Sequence, residues 1–233
     1  MGPVGIFFLV LRMFATSTIK FLKDLARNNN KPWMDDHRTV YLAAKEDFES
    51  FVSSLIKKTG PLNKDIGGLE VKNCVFRINR DIRFSKNKAP YKTNMGASLD
   101  RGGKKSIYAG YYFHLEPGKS FAGGGIWMPM APELKKIRQE IDYSFDEFQK
   151  ILSNKMFKAQ YGQLDDSSEL KLTNLPRGYE KDNPAAEYLK LKSILALRSI
   201  PDADLTKPTL LTQTIKAFEA LTPLLHFMNR SLE

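Results

Sequence analysis

The chain has 233 residues, of which 42% are hydrophobic, so it can bury a core in one large domain or in two small ones. It contains no run of about 18 apolar residues, so we predict neither a membrane span nor a membrane partner. The net charge of +10 favours an anionic partner. A single cysteine, Cys74, excludes an intramolecular disulfide and predicts a reducing compartment, so we expect a cytoplasmic protein.

The first sixteen residues differ in character from the rest. Residues 6–11 are apolar, but the basic region that precedes this part of a secretory signal is missing. Met13 is a second candidate start. We therefore predict that residues 1–16 are a non-native or flexible extension and that residues 17–233 form a single α+β domain; a signal or anchor is the alternative.

Two helices are predicted before the middle of the chain. Ser17 is placed to cap the first, which ends at residues 28–32. The second follows from apolar residues at i, i+3 and i+4 spacing between Tyr41 and Ile56, and Gly60-Pro61 ends it.

The middle of the chain changes to a period of two, which predicts strands. Alternation covers residues 74–80 and residues 107–116. After the turn sequence at 116–120, residues 121–127 return as a hairpin partner. The glycines at 123–125 predict a flat strand, a bulge or the close approach of another backbone.

Helical patterns return in the C-terminal part. We predict helices from Pro132 to about Ile141, from Ser144 with Glu147 in a capping box, and after Asn183-Pro184. Residues 193–200 are predicted as a strand, and residues 206–228 hold a last amphipathic helix. The fold class is therefore α+β, with a mostly antiparallel central sheet packed with helices from the N- and C-terminal parts.

The excess charge is concentrated in one segment. Residues 71–105 hold ten lysines and arginines but only two acids, Asp81 and Asp100. Arginine forks, lysine ammonium groups and hydroxyls suit phosphate or carboxylate oxygens. With aromatic residues nearby, they predict a basic pocket whose ligand-binding residues are Arg77, Arg80, Arg83, Ser85, Lys88, Tyr91, Lys92, Tyr112 and Trp127. The alternative is an internal network in which Asp81 and other acids pair with these cations.

Three residues are candidates for catalysis. His114 and Glu116 are two apart on a predicted strand, so both lie on one face beside Tyr112, as a base and its orienting carboxylate would. Asp81 is the third candidate. Two such side chains make an incomplete metal site, so we predict no metal. Cys74 lies on an apolar face and is assigned to the core.

Four separated motifs resemble one family. They are FLKDLARNNNKPW, FRINRDIRFSKNKAPYKTNMGA, GYYFHLEPGKSFAGGGIWMP and NPAAEYLKLKS. They resemble, in this order, the conserved bacterial and fungal family catalogued as domain of unknown function 2461. The resemblance covers the chain from about Thr18 onward. It implies a single-domain protein with a start near Met13, and it implies no activity and no catalytic residues.

Three hypotheses about function remain. The first is a module that binds a phosphate-bearing or carboxylate small molecule in the basic pocket. The second is an enzyme that acts on such a ligand by acid/base chemistry. The third is nonspecific nucleic-acid binding, although the motifs of common nucleic-acid modules are absent. No phosphate-loop, hydrolase or metalloprotease motif is present either, so we predict no cofactor.

Overall fold

The computed structural model describes residues 13–233. Its strands are β1 (Met95–Leu99), β2 (Gly110–Leu115), β3 (Phe121–Ile126) and β4 (Ile194–Ser199). Its helices are α1 (Thr16–Arg27), α2 (Lys31–Asp36), α3 (Arg38–Thr59), α4 (Val71–Cys74), α5 (Ala131–Tyr143), α6 (Phe145–Ser153), α7 (Lys155–Tyr161), α8 (Ala186–Leu189) and α9 (Leu210–Arg230), with short 3₁₀ turns at Ser168–Leu170 and Asp202–Asp204. The predicted α+β class is confirmed.

The four strands form one antiparallel sheet in the order β1-β2-β3-β4. Ser98 lies opposite Tyr112, Tyr112 opposite Gly123, and Gly123 opposite Leu197. Directly opposed residues point to the same side of a sheet. The sheet therefore has an inner face, which carries Tyr111, and an outer face, which carries Tyr112.

The inner face is covered by helices. The ring centroid of Phe113 lies 4.7 Å from that of Phe51 on α3, and Tyr111 lies 4.8 Å from Phe218 on α9. The Tyr111 hydroxyl donates to Thr222 Oγ1 at 2.8 Å, since Thr222 donates its own proton to a helix carbonyl. The four aromatic side chains belong to the main hydrophobic core, which supplies most of the driving force for folding.

The outer face holds a second, smaller aromatic group. Tyr112 lies between Phe76 and Phe121, with ring centroids 6.3 Å and 5.7 Å away. His114 stacks on Phe121 at 4.7 Å. None of these four residues belongs to the main core.

The glycine run in β3 reflects close backbone approach, one of the predicted outcomes. Gly125 has φ 129°, a region that side-chain-bearing residues rarely adopt. A Cβ atom there would lie 2.0 Å from the carbonyl oxygen of Ile194 on β4. Only glycine allows β4 to pair at this position.

The strand predicted for residues 74–80 is wrong. Cys74 ends the short helix α4, and only isolated bridges follow, Val75 with Ala97 and Asn79 with Tyr91. Beyond the bond from Phe76 N to Gly96 O, the chain leaves the sheet and forms a hairpin-like loop over residues 78–92. β2 pairs with β3 on one side and with β1 on the other. The sequence analysis did not predict β1.

The starts of the first two helices differ from the predictions. Ser17 lies inside α1, where Asp47 of α3 accepts hydrogen bonds from the Ala15 amide and the Thr18 hydroxyl. Asn30 caps α2, a helix missed in the sequence, by accepting from Trp33 N.

The predicted capping box of α6 does not form. Ser144 donates to Glu140, and Glu147 pairs with Arg230 on α9. The structure also adds α7, which begins after Asn154. The strand predicted at residues 193–200 and the last helix are both confirmed.

Two asparagine side chains each form hydrogen bonds to both the backbone amide and the backbone carbonyl of a distant residue. Asn29 accepts from Tyr91 N at 3.0 Å and donates to Tyr91 O at 2.9 Å. Asn229 does the same at Ala109, at 2.8 Å and 3.0 Å. We call these contacts the asparagine clamps. They fix the chain just before Lys92 and just before β2.

Of the extension predicted for residues 1–16, residues 1–12 lie outside the described part of the chain. Phe14 is buried and packs against Phe51, with ring centroids 4.7 Å apart. Among the described residues, no helix is long and apolar enough to cross a membrane.

Candidate functional site

Several polar side chains of the hairpin at residues 78–92 form hydrogen bonds to other groups of the same hairpin. Arg80 donates to Ala89 O at 3.0 Å and to Ser85 Oγ at 3.4 Å. Lys88 donates to Ile82 O at 3.1 Å. These three predicted ligand-binding residues therefore hold the hairpin's shape.

Asp81 and Arg83 form an exposed ion pair at 2.7 Å. The hydrogen bond from the Arg83 guanidinium lowers the pKa of Asp81 below its ordinary value. No hydrogen bond in the described part of the chain joins Asp81 to His114 or Glu116. The predicted catalytic role of Asp81 thus has no geometric support.

Aromatic residues of the predicted set lie in different settings. Tyr91 is buried, and an asparagine clamp holds its backbone. Trp127 follows β3 and is 66% exposed. Phe84, at the tip of the hairpin, is 96% exposed and was not predicted as a site residue.

Arg77 and Lys92 differ from the hairpin cations. Neither side chain has a hydrogen bond or an ion pair within residues 13–233. The Lys92 Nζ atom lies 5.3 Å from the ring centroid of Phe76. Burial, and then the neighbouring charge of Arg77, lower the pKa of Lys92.

A cleft of about 300 Å³ lies between α3 and the segment that leads into the hairpin. Arg77, Phe76 and Asn94 line one side of it. Its three further lysines are engaged: Lys45 pairs with Glu49, Lys72 pairs with Glu70, and Lys104 donates to carbonyls at the end of α4. Arg77 is therefore its least engaged cation. We call this space the basic cleft.

A polar chain runs along the outer face from Tyr112 through His114 to Glu116. His114 Nε2 lies 3.1 Å from Glu116 Oε2, and Thr93 donates to the other oxygen of Glu116 at 2.8 Å. Asn94 Nδ2 and Tyr112 Oη both lie 3.4 Å from His114 Nδ1. The predicted pair of His114 and Glu116 is thus brought together.

The environment separates the pKa values of these groups. Burial lowers the pKa of His114 and outweighs the opposing effect of Glu116. Burial raises the pKa of Tyr112 to about 12. Burial alone would raise the pKa of Glu116, but hydrogen bonds from His114 and Thr93, with the charges of His114 and Lys119, lower it. The imidazole is therefore held neutral beside a carboxylate.

Asp100 is a further unusual group, which the sequence analysis counted only as an acid. It is 9% exposed, and its carboxyl lies over Gly110 on the outer face, where a Cβ atom would come within 1.8 Å of Oδ1. Within the described residues, only the Ser98 hydroxyl hydrogen-bonds to this carboxyl group, and burial raises the pKa of Asp100 to about 7. No local motif marks such an acid, because its burial depends on the packing of β1 against β2.

A larger cavity of about 830 Å³ lies between α6, α7 and α8, and no predicted site residue lines it. Its charged side chains are balanced, with Lys150, Lys158 and Lys171 against Asp146, Asp166 and Glu187. Within residues 13–233, no group of three or more His, Cys, Asp or Glu side chains is placed to hold a metal ion.

Comparison with known families identifies the family of this chain. Residues 17–227 match the model of a family described as conserved hypothetical protein (DUF2461), and the chain belongs to this family. The resemblance seen in the four motifs is thereby confirmed. Searches of curated proteins and of solved structures found no match.

Proposed function

We propose that the protein binds a small phosphate-bearing or carboxylate ligand at the basic cleft, through Arg77, which lines the cleft, and Lys92, which lies against its Phe76 wall. The observation that carries the proposal is that the charge of Arg77 acts on Lys92, while neither side chain forms a hydrogen bond or ion pair in the described chain. The charge of Arg77 also acts on Asp81, but that carboxylate is already paired with Arg83. Holding two like charges together costs free energy, and a bound anion would remove that cost. An arginine fork beside an ammonium group suits a phosphate.

The surroundings support a small ligand. A volume of about 300 Å³ is at the lower end of small-molecule sites. Phe76 offers an apolar wall and Asn94 an amide that can donate or accept. Since Arg83 is already paired with Asp81, the hairpin tip is less suited to capture a small anion.

The test is to titrate the protein with inorganic pyrophosphate and to monitor binding through the NMR signal of the Lys92 Cε group. Pyrophosphate should bind, and it should raise the pKa of Lys92 toward its ordinary value. Arg77→Gln should weaken binding about tenfold or more, as the loss of a charge-assisted bond does.

Arg83→Gln is the matched control, because it removes one arginine of the same basic segment whose charge is already paired. It should leave the affinity within about twofold. Equal losses from the two variants, or no response of Lys92 to pyrophosphate, would contradict the proposal.

One observation favours nonspecific nucleic-acid binding as a second candidate. Phe84 is almost fully exposed at the hairpin tip, with the Arg83 guanidinium 5.8 Å from its ring centroid. Exposed aromatic rings beside cations can stack on bases of single strands. Labelled oligonucleotides should then bind with a steep salt dependence that Phe84→Ala weakens. No binding at low salt removes this candidate.

We also propose that residues 17–233 form a single domain in the cytoplasm. One core cluster that includes residues from both ends of this range, such as Ile19 and Met228, supports the first point. The single buried Cys74 supports the second. Limited proteolysis that released two stable fragments, or a tagged protein found outside the cytoplasm, would contradict these points.

A further inference from the structure

The polar chain on the outer face has a defined direction. Glu116 is a carboxylate with a lowered pKa, so it accepts hydrogen bonds and does not donate them. His114 Nε2 must therefore carry the proton that lies between the two groups. The Nδ1 atom of a neutral imidazole is then a free lone pair, the arrangement found where a carboxylate orients a histidine base.

Among residues 13–233, no hydrogen-bond donor lies within 3.0 Å of His114 Nδ1. Its two neighbours, Asn94 Nδ2 and Tyr112 Oη, are both 3.4 Å away, beyond the usual range for a strong hydrogen bond. Tyr112 keeps its proton, since its pKa is raised to about 12, so it can donate but is no nucleophile near neutral pH. Nδ1 is thus the basic atom available on this face.

Residues of the proposed anion site contact the polar chain that contains this atom. Asn94 contacts His114 and also lines the basic cleft with Arg77. Thr93, which bonds Glu116, directly follows Lys92 in the chain. Phe76 forms a wall of the cleft and packs against Tyr112. Asn94 and Phe76 are therefore shared between the basic cleft and the polar chain that contains His114.

Two features further favour a histidine that is held for chemistry. His114 is only 15% exposed as a side chain, and stacking on Phe121 at 9° fixes the plane of its ring. Gly96 leaves room for Tyr112, since a Cβ atom there would lie 2.3 Å from the Tyr112 hydroxyl oxygen. Groups fixed in this way need little reorganisation during a reaction.

We propose that His114 transfers a proton in the hydrolysis of a small phosphate monoester whose phosphate is held by Arg77 and Lys92. The inference rests on the proposed anion site. A phosphate monoester carries a charge of roughly −1.5 to −2 at neutral pH, which matches two cations better than a carboxylate does.

The step balances with water as the co-reactant. A water molecule gives a proton to His114 Nδ1 while its oxygen forms a bond to phosphorus. The bond between phosphorus and the ester oxygen breaks, and the leaving oxygen takes the proton back from the imidazolium. Inorganic phosphate and an alcohol are released. Glu116 is a positioning residue that orients the ring and stabilises its charged form.

The test uses p-nitrophenyl phosphate as substrate and inorganic phosphate as the binding probe. The wild-type protein should release p-nitrophenol, and His114→Gln should lower kcat by about a hundredfold or more. Phosphate affinity should change by less than about twofold, because His114 does not hold the anion. His226→Gln, which removes an exposed histidine of α9, is the matched control and should keep full activity.

Glu116→Gln provides a second variant in case His114→Gln fails to fold. It should lower kcat about tenfold with KM unchanged. It should also move the acid limb of the kcat/KM profile to lower pH, because Glu116 raises the pKa of His114 while burial and Lys119 lower it. Tyr112, the other titratable group in contact with His114, stays neutral over this limb.

The outcomes separate the two proposals. Phosphate binding without hydrolysis, or full activity in His114→Gln, overturns the role of His114 and leaves the anion site standing. Failure of phosphate to bind overturns the anion site and the hydrolysis with it.

Discussion

The two faces of the sheet differ in the kind of side chain that they bury. The inner face buries Tyr111 and Phe113 against α3 and α9, and its polar groups are bonded to α9: the Tyr111 hydroxyl to Thr222, and Arg198 to the carbonyl of Gln213. The outer face buries Asp100 and His114, ionisable groups whose charged forms are disfavoured there. The inner face stabilises the fold, whereas the outer face gives up stability to hold groups in unusual ionisation states.

The largest expected effect tests the inner face. Phe113→Ala removes a buried ring that contacts Phe14, Phe48 and Phe51 and should lower the free energy of unfolding by about 3–5 kcal/mol. Tyr112→Phe on the outer face is the matched variant and should cost less than about 1 kcal/mol, since its hydroxyl makes only a long contact. Urea unfolding of both proteins measures the difference, and equal losses would remove the distinction between the faces.

The next effect concerns the backbone that both faces share. Gly125→Ala should cost about 2–4 kcal/mol, because the new Cβ atom meets the backbone of β4 in a strained conformation. Gly118→Ala is the control: it also has positive φ, 82°, but nothing lies within 4 Å of the added atom. It should cost about 1 kcal/mol. Similar losses would show that conformation alone, and not the approach of β4, requires glycine at position 125.

A smaller effect of opposite sign tests the outer face. Because the folded pKa of Asp100 is raised to about 7 from 3.8, the folded state binds more protons, and stability is lost as pH rises between these values. Asp100→Asn should therefore raise the free energy of unfolding by about 1–2 kcal/mol at pH 8 and change it little near pH 4.

Asp182→Asn is the control for that variant, since it alters an exposed carboxylate without a side-chain hydrogen bond or ion pair in the described chain. It should give no such pH-dependent gain. A loss of stability at pH 8 for Asp100→Asn would show that the charged carboxylate is stabilised on the outer face.

The smallest effect comes from His114. Its pKa is lowered from 6.5 in the folded state, so the unfolded chain binds the proton first, and stability falls as pH drops below about 6.5. His114→Gln should flatten this part of the curve, by less than about 1 kcal/mol. Thermal unfolding across this pH range measures it, and an unchanged slope would place the pH dependence in other groups.

The sequence predicts local patterns better than long-range partners. Alternation in β2 separates Tyr111 from Tyr112 correctly, and helical spacing predicts α3 and α9. The pairing of His114 with Glu116 was also predictable, because residues two apart on a strand share a face.

The partners of the basic residues were not predictable. Arg80 and Lys88 bond to carbonyls of their own hairpin, and Arg83 pairs with Asp81, whereas Arg77 and Lys92 have no such bonds in the described chain. The ten clustered lysines and arginines look alike in the sequence, so counting their charges cannot tell which of them form hydrogen bonds or ion pairs in the fold. The burial of Asp100 likewise depends on how β1 packs beside Gly110, 10 residues later in the chain.

The asparagine clamps have a consequence for how long the site persists. Asn29 and Tyr91 are 62 residues apart, and Asn229 and Ala109 are 120 apart. Contacts that close such long loops are entropically costly, and we expect these two to form after the barrier to folding has been crossed. Asn29→Ala should then speed unfolding and leave the folding rate nearly unchanged. The asparagine clamp at Tyr91, next to Lys92, would then slow the opening of the hairpin. The rate at which this clamp opens would set how long the anion site stays formed.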